Sequence, residues 1–235
     1  MELGETMRTI ESIQSEYGTK IAKRALELEA IRLNPSNPFR WASGYYMPIY
    51  NDNRRLLADS DLRMVIAQGF SEIITLLEIE VTNIAGTATA GIPHATTLAD
   101  LLGKSLSYVR SSGKDHGLKN LIEGLDSTGT YHLSKVLLIE DLISTGLSSI
   151  KAIEAIRSSK GVVEYCLAIF TYGMRASLNN FASLSEPVTL ITLLDYDTML
   201  KTAFESGYVD SKEEKMLKIW KEDPFGWGER HGFVI

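Results

Sequence analysis

The sequence predicts an α/β fold with a mostly parallel central sheet flanked by helices. Two observations support this prediction: short apolar runs recur from about residue 80 onward, and helical stretches separate several of them. Runs that are apolar throughout are typical of strands buried on both faces. Alternating strands and helices indicate parallel strands whose crossover helices cover both faces of the sheet.

The N-terminal third is predicted to hold two helices and an irregular stretch. Residues 10–31 carry apolar side chains at helical spacing, and Asn34-Pro35 ends that segment. A second helix begins at Asp59 or Ser60, either of which can cap its first turn. The aromatic-rich residues 38–54 form an irregular stretch between the two helices.

The central part is predicted to supply the sheet and most of the helices that cover it. Its helices fall near residues 95–102 and 148–157, and Gly103 and Gly161 follow them as stop signals. The predicted strands are the apolar runs at residues 80–84, 106–109, 136–139, 162–172 and 188–194.

The C-terminal tail is predicted to be helical and to pack on the core. Asp197 opens one helix that Gly207 closes, and Ser211 with Glu214 forms a capping box for a second helix. No repeat, low-complexity tract or long linker divides the 235 residues. We therefore expect a single compact unit with an N-terminal part, a core and a tail at residues 1–79, 80–196 and 197–235.

Charge and cysteine content exclude several function classes. A formal net charge of -6 argues against broad binding of nucleic acid or of anionic membranes, which requires a dominant positive surface. The presence of a single cysteine, Cys166, excludes an internal disulfide framework and a multi-thiolate metal site. We expect Cys166 to be a small buried residue of a strand. The sequence has neither the apolar run of a signal peptide nor that of a membrane span, so we expect a cytoplasmic protein.

The most informative segment is residues 136–149, where a buried strand leads through two acids into a turn of small residues and then a helix. Ligands of open parallel sheets bind beyond the carboxyl ends of the strands, where Glu140 and Asp141 should emerge. Two carboxylates at this place can accept hydrogen bonds from the vicinal hydroxyls of a sugar. The turn supplies hydroxyls and a flexible glycine at a helix N-terminus, which favours a phosphate: Ser144, Thr145, Gly146 and Ser148.

Acids followed within eight residues by a phosphate cradle describe a site for a pentose 5-phosphate. The alternative is a purely structural role for this segment, as a solvated strand end followed by a Ser/Thr helix cap. The sequence contains no G-x-x-x-x-G-K-[ST] loop, and no G-x-G-x-x-G follows a strand, so a nucleotide triphosphatase or a dinucleotide enzyme is disfavoured.

A second cluster, residues 108–124, places cationic side chains in a glycine-containing loop after a predicted strand. Arg110 can bind phosphate oxygens in a bidentate manner, and Lys114 supplies a point charge. His116 can donate a proton or a hydrogen bond near neutral pH. These side chains suit a pyrophosphate, although the stretch on its own is more typical of a charged surface loop.

Residues 136–149 resemble the motif by which type I phosphoribosyltransferases bind phosphoribosyl pyrophosphate (PRPP): a hydrophobic strand, two acids and a Thr/Gly-rich turn. The R-x-x-x-K-x-H-G spacing from Arg110 to Gly117 resembles the catalytic loop of orotate phosphoribosyltransferases. Residues 41–54 resemble the family's base-covering segment, and residues 86–96 resemble its glycine-rich turn, in which His94 is better explained by packing than by catalysis. The four matches occur in the family's order.

The resemblance implies the type I phosphoribosyltransferase fold and transfer of the phosphoribosyl group from PRPP to orotate. It implies that Arg110, Lys114 and His116 act on the pyrophosphate as catalytic residues, and that Ser144 and Tyr50 contact orotate. It also implies Mg²⁺ held mainly through PRPP, and a homodimer in which loop 110–121 is shared across the interface. The implied PRPP-binding residues are Arg110, Lys114, His116, Glu140, Asp141, Leu142, Ile143, Ser144, Thr145, Gly146, Leu147 and Ser148.

The sequence departs from the family's pattern at three positions, and two alternatives stay open. Ser111 and Ala42 stand where many relatives carry lysine, and Met47 replaces the usual serine. The end of the 162–172 strand puts Tyr172 or Arg175 at the border of the base pocket. The alternatives are a PRPP-dependent transferase for another base and a non-catalytic PRPP-sensing regulator.

Overall fold

The structure, a computed structural model, describes residues 8–41, 43–111 and 121–233. Its N-terminal part contains two long helices, α1 and α2, and two small antiparallel pairs of strands, β1 with β4 and β2 with β3. A 3₁₀ helix at Asn53–Ala58 precedes α2. The bounds of these elements are α1 Ile10–Glu27, β1 Ile31–Leu33, β2 Phe39–Arg40, β3 Tyr46–Met47, β4 Ile49–Asn51 and α2 Ser60–Leu76.

In the core and tail, strands and helices alternate except that no helix of the described residues separates β6, β7 and β8, and that the chain ends in three successive helices. The core strands are β5 Asn83–Thr87, β6 Ser105–Val109, β7 Ile122–Glu123, β8 Val136–Ile143, β9 Tyr165–Thr171 and β10 Thr189–Asp195. The remaining helices are α3 Gly91–Leu102, α4 Leu147–Ser158, α5 Arg175–Ala182, α6 Tyr196–Glu205, α7 Ser211–Glu222 and α8 Pro224–Arg230.

The core strands form a six-stranded sheet in the order β10-β9-β8-β5-β6-β7. All neighbouring pairs are parallel except β6 with β7, which is antiparallel. Alternate residues of a strand point to opposite faces, so Leu137 and Ile139 join the larger apolar cluster with α1, α2, α3 and α6, whereas Leu138 joins the smaller cluster with α4. The predicted α/β fold is confirmed.

Several predicted boundaries are wrong by a few residues. The first core strand begins at Asn83 and runs through Thr87, so Gly86 lies in a strand and not in a turn. Its lack of a side chain has a packing reason, because a Cβ at Gly86 would lie 2.8 Å from the Cα of Ile92 on α3. The predicted Ala95 start of α3 is also late, because the helix already begins at Gly91.

The N-terminal helix is shorter than predicted, and two caps in the tail differ. Helix α1 ends at Glu27, and residues 31–33 form β1. Asp195 caps α6 in place of Asp197. The capping box of α7 uses Asp210 and Glu213, because the Asp210 carboxylate accepts from the backbone N–H of Glu213, whose side chain returns to the Asp210 N–H.

The tail packs on the core through buried aromatic side chains. Trp220 of α7 and Trp227 of α8 are fully buried. The hydroxyl of Tyr196, at the start of α6, donates to the carbonyl of Leu217 over 3.0 Å and fixes α7 against the core. None of the helices in the described ranges has the length and apolar character needed to cross a membrane.

Candidate active site

Apart from Tyr50, which lies on β4, the predicted site residues that the structure describes lie at one edge of the sheet, where the carboxyl ends of the parallel strands meet. Thr87 ends β5, Arg110 follows β6, and Glu140 and Asp141 lie near the end of β8. Tyr172 follows β9, and its backbone N–H donates to the carbonyl of Ile143 over 3.2 Å. This edge is where open α/β sheets bind their ligands.

A cavity of about 300 Å³, here called the turn cavity, is lined by most of the predicted PRPP-binding segment. Of the nine residues from 140 to 148, eight line it, and Ile143 does not. The Ile143 side chain is fully buried in the core, so only its backbone is near the site. The residues that line the turn cavity are Thr87, Ala88, Glu140, Asp141, Leu142, Ser144, Thr145, Gly146, Leu147 and Ser148.

Glu140 and Asp141 differ in environment, which their adjacency in sequence did not indicate. Strand β8 continues to Ile143, so both acids lie inside the strand and alternate in direction. Glu140 is 4% exposed and accepts a hydrogen bond from the buried hydroxyl of Ser149 over 3.0 Å. Asp141 is half-buried, and its backbone carbonyl accepts from the Asn53 side chain over 2.6 Å.

The electrostatics of the acidic pair follow from this burial. Burial raises the pKa of the Glu140 carboxyl, and the adjacent Asp141 charge raises it further. Burial also raises the pKa of Asp141, while a hydrogen bond with Glu140 and the positive charge of Arg54 oppose that rise. The pair is therefore short of counter-charge and suited to partners that donate neutral hydrogen bonds, such as sugar hydroxyls.

The hydroxyl-bearing turn after β8 is held by helix α5. Gly146 has φ 79° and stands directly before α4, and a Cβ there would lie 2.9 Å from the Phe181 ring. The Asn180 side chain donates to the carbonyl of Thr145 over 2.9 Å. Gly146, Leu147 and Ser148, at the start of α4, line the turn cavity, and a helix N-terminus at this place favours a phosphate.

Arg110 borders a second cavity, of about 570 Å³, which adjoins the turn cavity through shared lining residues Thr87, Ala88 and Ser148. Its guanidinium lies 3.6 Å from the carboxylate of Glu123 on β7. Its backbone N–H donates to the carbonyl of Leu121 over 2.8 Å. Arg110 and Leu121, at the two ends of the segment predicted to be the catalytic loop, are thereby joined by a backbone hydrogen bond.

Lys114 and His116 lie outside the described residues, so their predicted contacts with pyrophosphate stay a prediction. Ser111, the departure next to Arg110, is described and exposed. Ala42, a second departure, also lies outside the described residues.

The base-covering segment, residues 41–54, lies on the other side of the acidic pair. The Tyr50 ring packs against Phe39, with 5.8 Å between centroids, and the Arg32 guanidinium lies 4.8 Å from the Tyr50 centroid. Tyr172 is buried and packs against Trp41, with 5.5 Å between centroids. Burial raises the pKa of Tyr172, and the charge of Asp141 raises it further.

Buried side chains outside the site agree with the packing interpretations. His94 is 1% exposed within α3, and in the described part of the chain neither ring nitrogen has a hydrogen-bond partner. Cys166 is fully buried in β9. Sequence reasoning missed the contributions of Asn53, Ser149 and Asn180. Asn53 and Ser149 lie within the segments 41–54 and 136–149 but were given no role there, and Asn180 lies in no recognised motif.

Comparison with known proteins identifies the family. The model of the phosphoribosyl transferase domain matches residues 53–172. An orotate phosphoribosyltransferase of Enterococcus faecalis is 46% identical over 210 residues, which cover 89% of this chain and 97% of that protein. The chain belongs to the orotate phosphoribosyltransferase family.

Two further orotate phosphoribosyltransferases agree with this assignment. That of Porphyromonas gingivalis is 43% identical over 211 residues, covering 90% of this chain and 98% of the relative. The crystal structure of orotate phosphoribosyltransferase from Aeropyrum pernix has a TM-score of 0.66 at 28% identity, covering 81% of this chain and 99% of that one. The type I phosphoribosyltransferase fold is therefore shared along most of the chain.

Proposed function

We propose that the chain is an orotate phosphoribosyltransferase, a pentosyltransferase that converts orotate and PRPP to orotidine 5'-monophosphate and pyrophosphate in pyrimidine biosynthesis. One observation carries the proposal: the acidic pair, the hydroxyl-bearing turn and Arg110 share one sheet edge with the base-covering segment. Relatives named for this activity match nearly their whole length at 46% and 43% identity.

Each part of the site binds a different group of PRPP. The turn from Ser144 to Ser148 binds the 5-phosphate through backbone N–H groups and hydroxyls at the start of α4. Asp141 and Glu140 accept from the ribose hydroxyls. Arg110, at the mouth of the adjoining cavity, binds the pyrophosphate, and Lys114 and His116 stabilise or protonate it as it leaves.

The chemistry requires positioning more than covalent catalysis. The N1 atom of orotate forms a bond to the anomeric carbon while the bond from that carbon to pyrophosphate breaks, with inversion and an oxocarbenium-like transition state. Orotate brings its own acidic N–H, so no protein nucleophile is needed. The protein holds the two reactants in line and neutralises the leaving charge.

Mg²⁺ is proposed to bind mainly through oxygen atoms of PRPP. Within the described ranges no group of three or more His, Cys, Asp or Glu side chains converges on a point that could hold a metal. Asp141, half-buried on the wall of the turn cavity, is the carboxylate best placed to meet such an ion or its waters. The ion would offset pyrophosphate charge next to Arg110.

A homodimer is also proposed, in which loop 110–121 reaches the neighbouring subunit's site and excludes water from the reaction. Family membership supports this, and mass measurement in solution tests it. A transferase for another base is disfavoured because the R-x-x-x-K-x-H-G loop and the base-covering segment accompany the PRPP motif. A non-catalytic regulator is disfavoured by the same loop cations.

The test is the loss of orotate absorbance after purified protein, PRPP and Mg²⁺ are mixed, with adenine, hypoxanthine and uracil as competing bases. We expect loss of orotate that requires both PRPP and Mg²⁺, with the other bases inert. Turnover of another base would establish a different transferase. Retained PRPP binding without any turnover would establish the regulator instead.

A further inference from the structure

The tail and the base-covering segment meet through three consecutive residues of that segment. The Tyr45 ring lies 5.2 Å from the Phe225 ring, measured between centroids. The Tyr46 ring lies 5.8 Å from the Phe233 ring. The third residue, Met47, forms a hydrogen bond with Trp220. The base-covering segment is thus held in place by the C-terminal tail, through residues of α7, of α8 and of the stretch after α8, as well as by the core.

The contact at Met47 is the most specific of the three. The indole N–H of Trp220 donates to the Met47 sulfur over 3.1 Å, and both side chains are fully buried. A buried indole N–H needs an acceptor, because leaving it unpaired costs free energy. Met47 is the position at which the sequence departs from the family's usual serine, so its sulfur and the Trp220 indole form a matched pair in this chain.

Trp220 also contacts the other wall of the base pocket. Its ring lies 5.7 Å from the Tyr172 ring in an edge-to-face arrangement, and Tyr172 in turn packs on Trp41. Tyr172 follows the end of β9 and is held to Ile143 beside the hydroxyl-bearing turn. One buried side chain therefore touches both the strand that covers the base and the aromatic residue at the end of β9.

We propose that Trp220 is a positioning residue for orotate: it fixes Met47 of the base-covering segment and Tyr172 of β9 at the separation that orotate requires. The inference rests on the proposed function. Trp220 is 0% exposed and does not touch substrate, so it acts through these neighbours. Among the described residues, the hydrogen bonds made by the PRPP side of the site, from Glu140 to Ser148, are to partners outside the tail, so this side should be affected far less than the base side.

The test compares Trp220→Phe and Met47→Leu with wild type and with the double variant. Each single change removes one partner of the N–H to sulfur hydrogen bond and keeps an apolar side chain. Met47→Leu nearly conserves volume, whereas Trp220→Phe also loses part of a buried ring system, a loss that a Trp→Phe control elsewhere in the tail reproduces. We expect the KM for orotate to rise about three- to tenfold, the effect of losing one hydrogen bond. We expect the KM for PRPP to stay within about twofold, and the double variant to be no worse than the worse single variant.

Trp227→Phe is the matched control. Trp227 is equally buried in the tail, and its ring stacks on Phe233, which contacts Tyr46, so it shares the tail's packing against the base-covering segment. Its indole N–H has no hydrogen-bond partner among the residues that the structure describes, so this variant changes tail packing without removing a hydrogen bond. This variant should keep the wild-type KM for orotate. A Trp227→Phe variant with the same rise, or a parallel rise of both KM values in Trp220→Phe, would show general loosening of the tail and overturn the inference.

Failure of the inference is distinguishable from failure of the proposed function. Wild-type protein that does not consume orotate overturns the proposed function and the inference together. Wild-type turnover with an unchanged KM for orotate in the variants overturns the inference alone. If Trp220→Phe does not fold, Met47→Leu decides the question by the same two KM values.

Discussion

The buried imidazole of His94 should make folding stability depend on pH. Burial lowers the pKa of His94 from 6.5 to about 4, and the nearby Arg63 charge acts in the same direction. As the pH falls, His94 therefore takes up a proton near pH 6.5 in the unfolded state but only near pH 4 in the folded state. The stability contributed by neutral His94 is complete above pH 6.5 and is lost as the pH falls from there toward about 4.

The magnitude follows from the shift. A difference of roughly 2.5 pH units, at about 1.36 kcal/mol per unit, corresponds to about 3 kcal/mol over the whole window. Between pH 7 and pH 5 this one group should lower the free energy of unfolding by about 2 kcal/mol. Such a loss is a large fraction of the stability of a typical domain, about 5–15 kcal/mol.

The assay is urea unfolding at a series of pH values from 7 to 5 for wild type and for His94→Leu, at one protein concentration so that any self-association is constant. Leucine fills the same buried volume and cannot be protonated. Carboxylates titrate in both proteins, so the difference between the two curves isolates His94. Parallel curves between pH 7 and pH 5 would refute the reasoning, since they would mean that the imidazole titrates alike in both states.

Three further changes test individual parts of the site and core. Ser149→Ala removes the hydroxyl that donates to Glu140, so the KM for PRPP should rise about three- to tenfold with the KM for orotate unchanged; equal values for PRPP would contradict the contact's role. Lys114→Ala should lower kcat by roughly 100-fold or more without changing the melting temperature, and unchanged PRPP-dependent turnover would remove Lys114 from the leaving-group role. Gly91→Ala would place a Cβ 2.7 Å from the Ile139 carbonyl oxygen, so the urea midpoint should fall by the equivalent of about 1–3 kcal/mol, and an unchanged midpoint would show that the backbone relaxes freely.

Local sequence patterns determined the fold class and the chemistry of the site in this protein. Apolar runs indicated the long core strands because a strand whose two faces are both buried requires apolar side chains at nearly every position. The acids and small residues of 140–148 could be recognised as a candidate site because the proposed binding of phosphate and ribose requires several polar groups within one short stretch of chain. Helix ends were less well predicted, because neighbouring candidates such as Asp210 and Ser211 compete for the same cap.

Only the tertiary structure decided which side chains support the site from a distance. Glu140 is buried against Ser149 while Asp141 stays partly open, and Asn53 reaches the acidic pair across 88 positions of sequence. Trp220 and Met47 are separated by 173 positions, yet they share a buried hydrogen bond. Such contacts leave no periodic or motif signal, because they depend on how α7 and the base-covering segment pack around the finished sheet and not on the order of residues within either one.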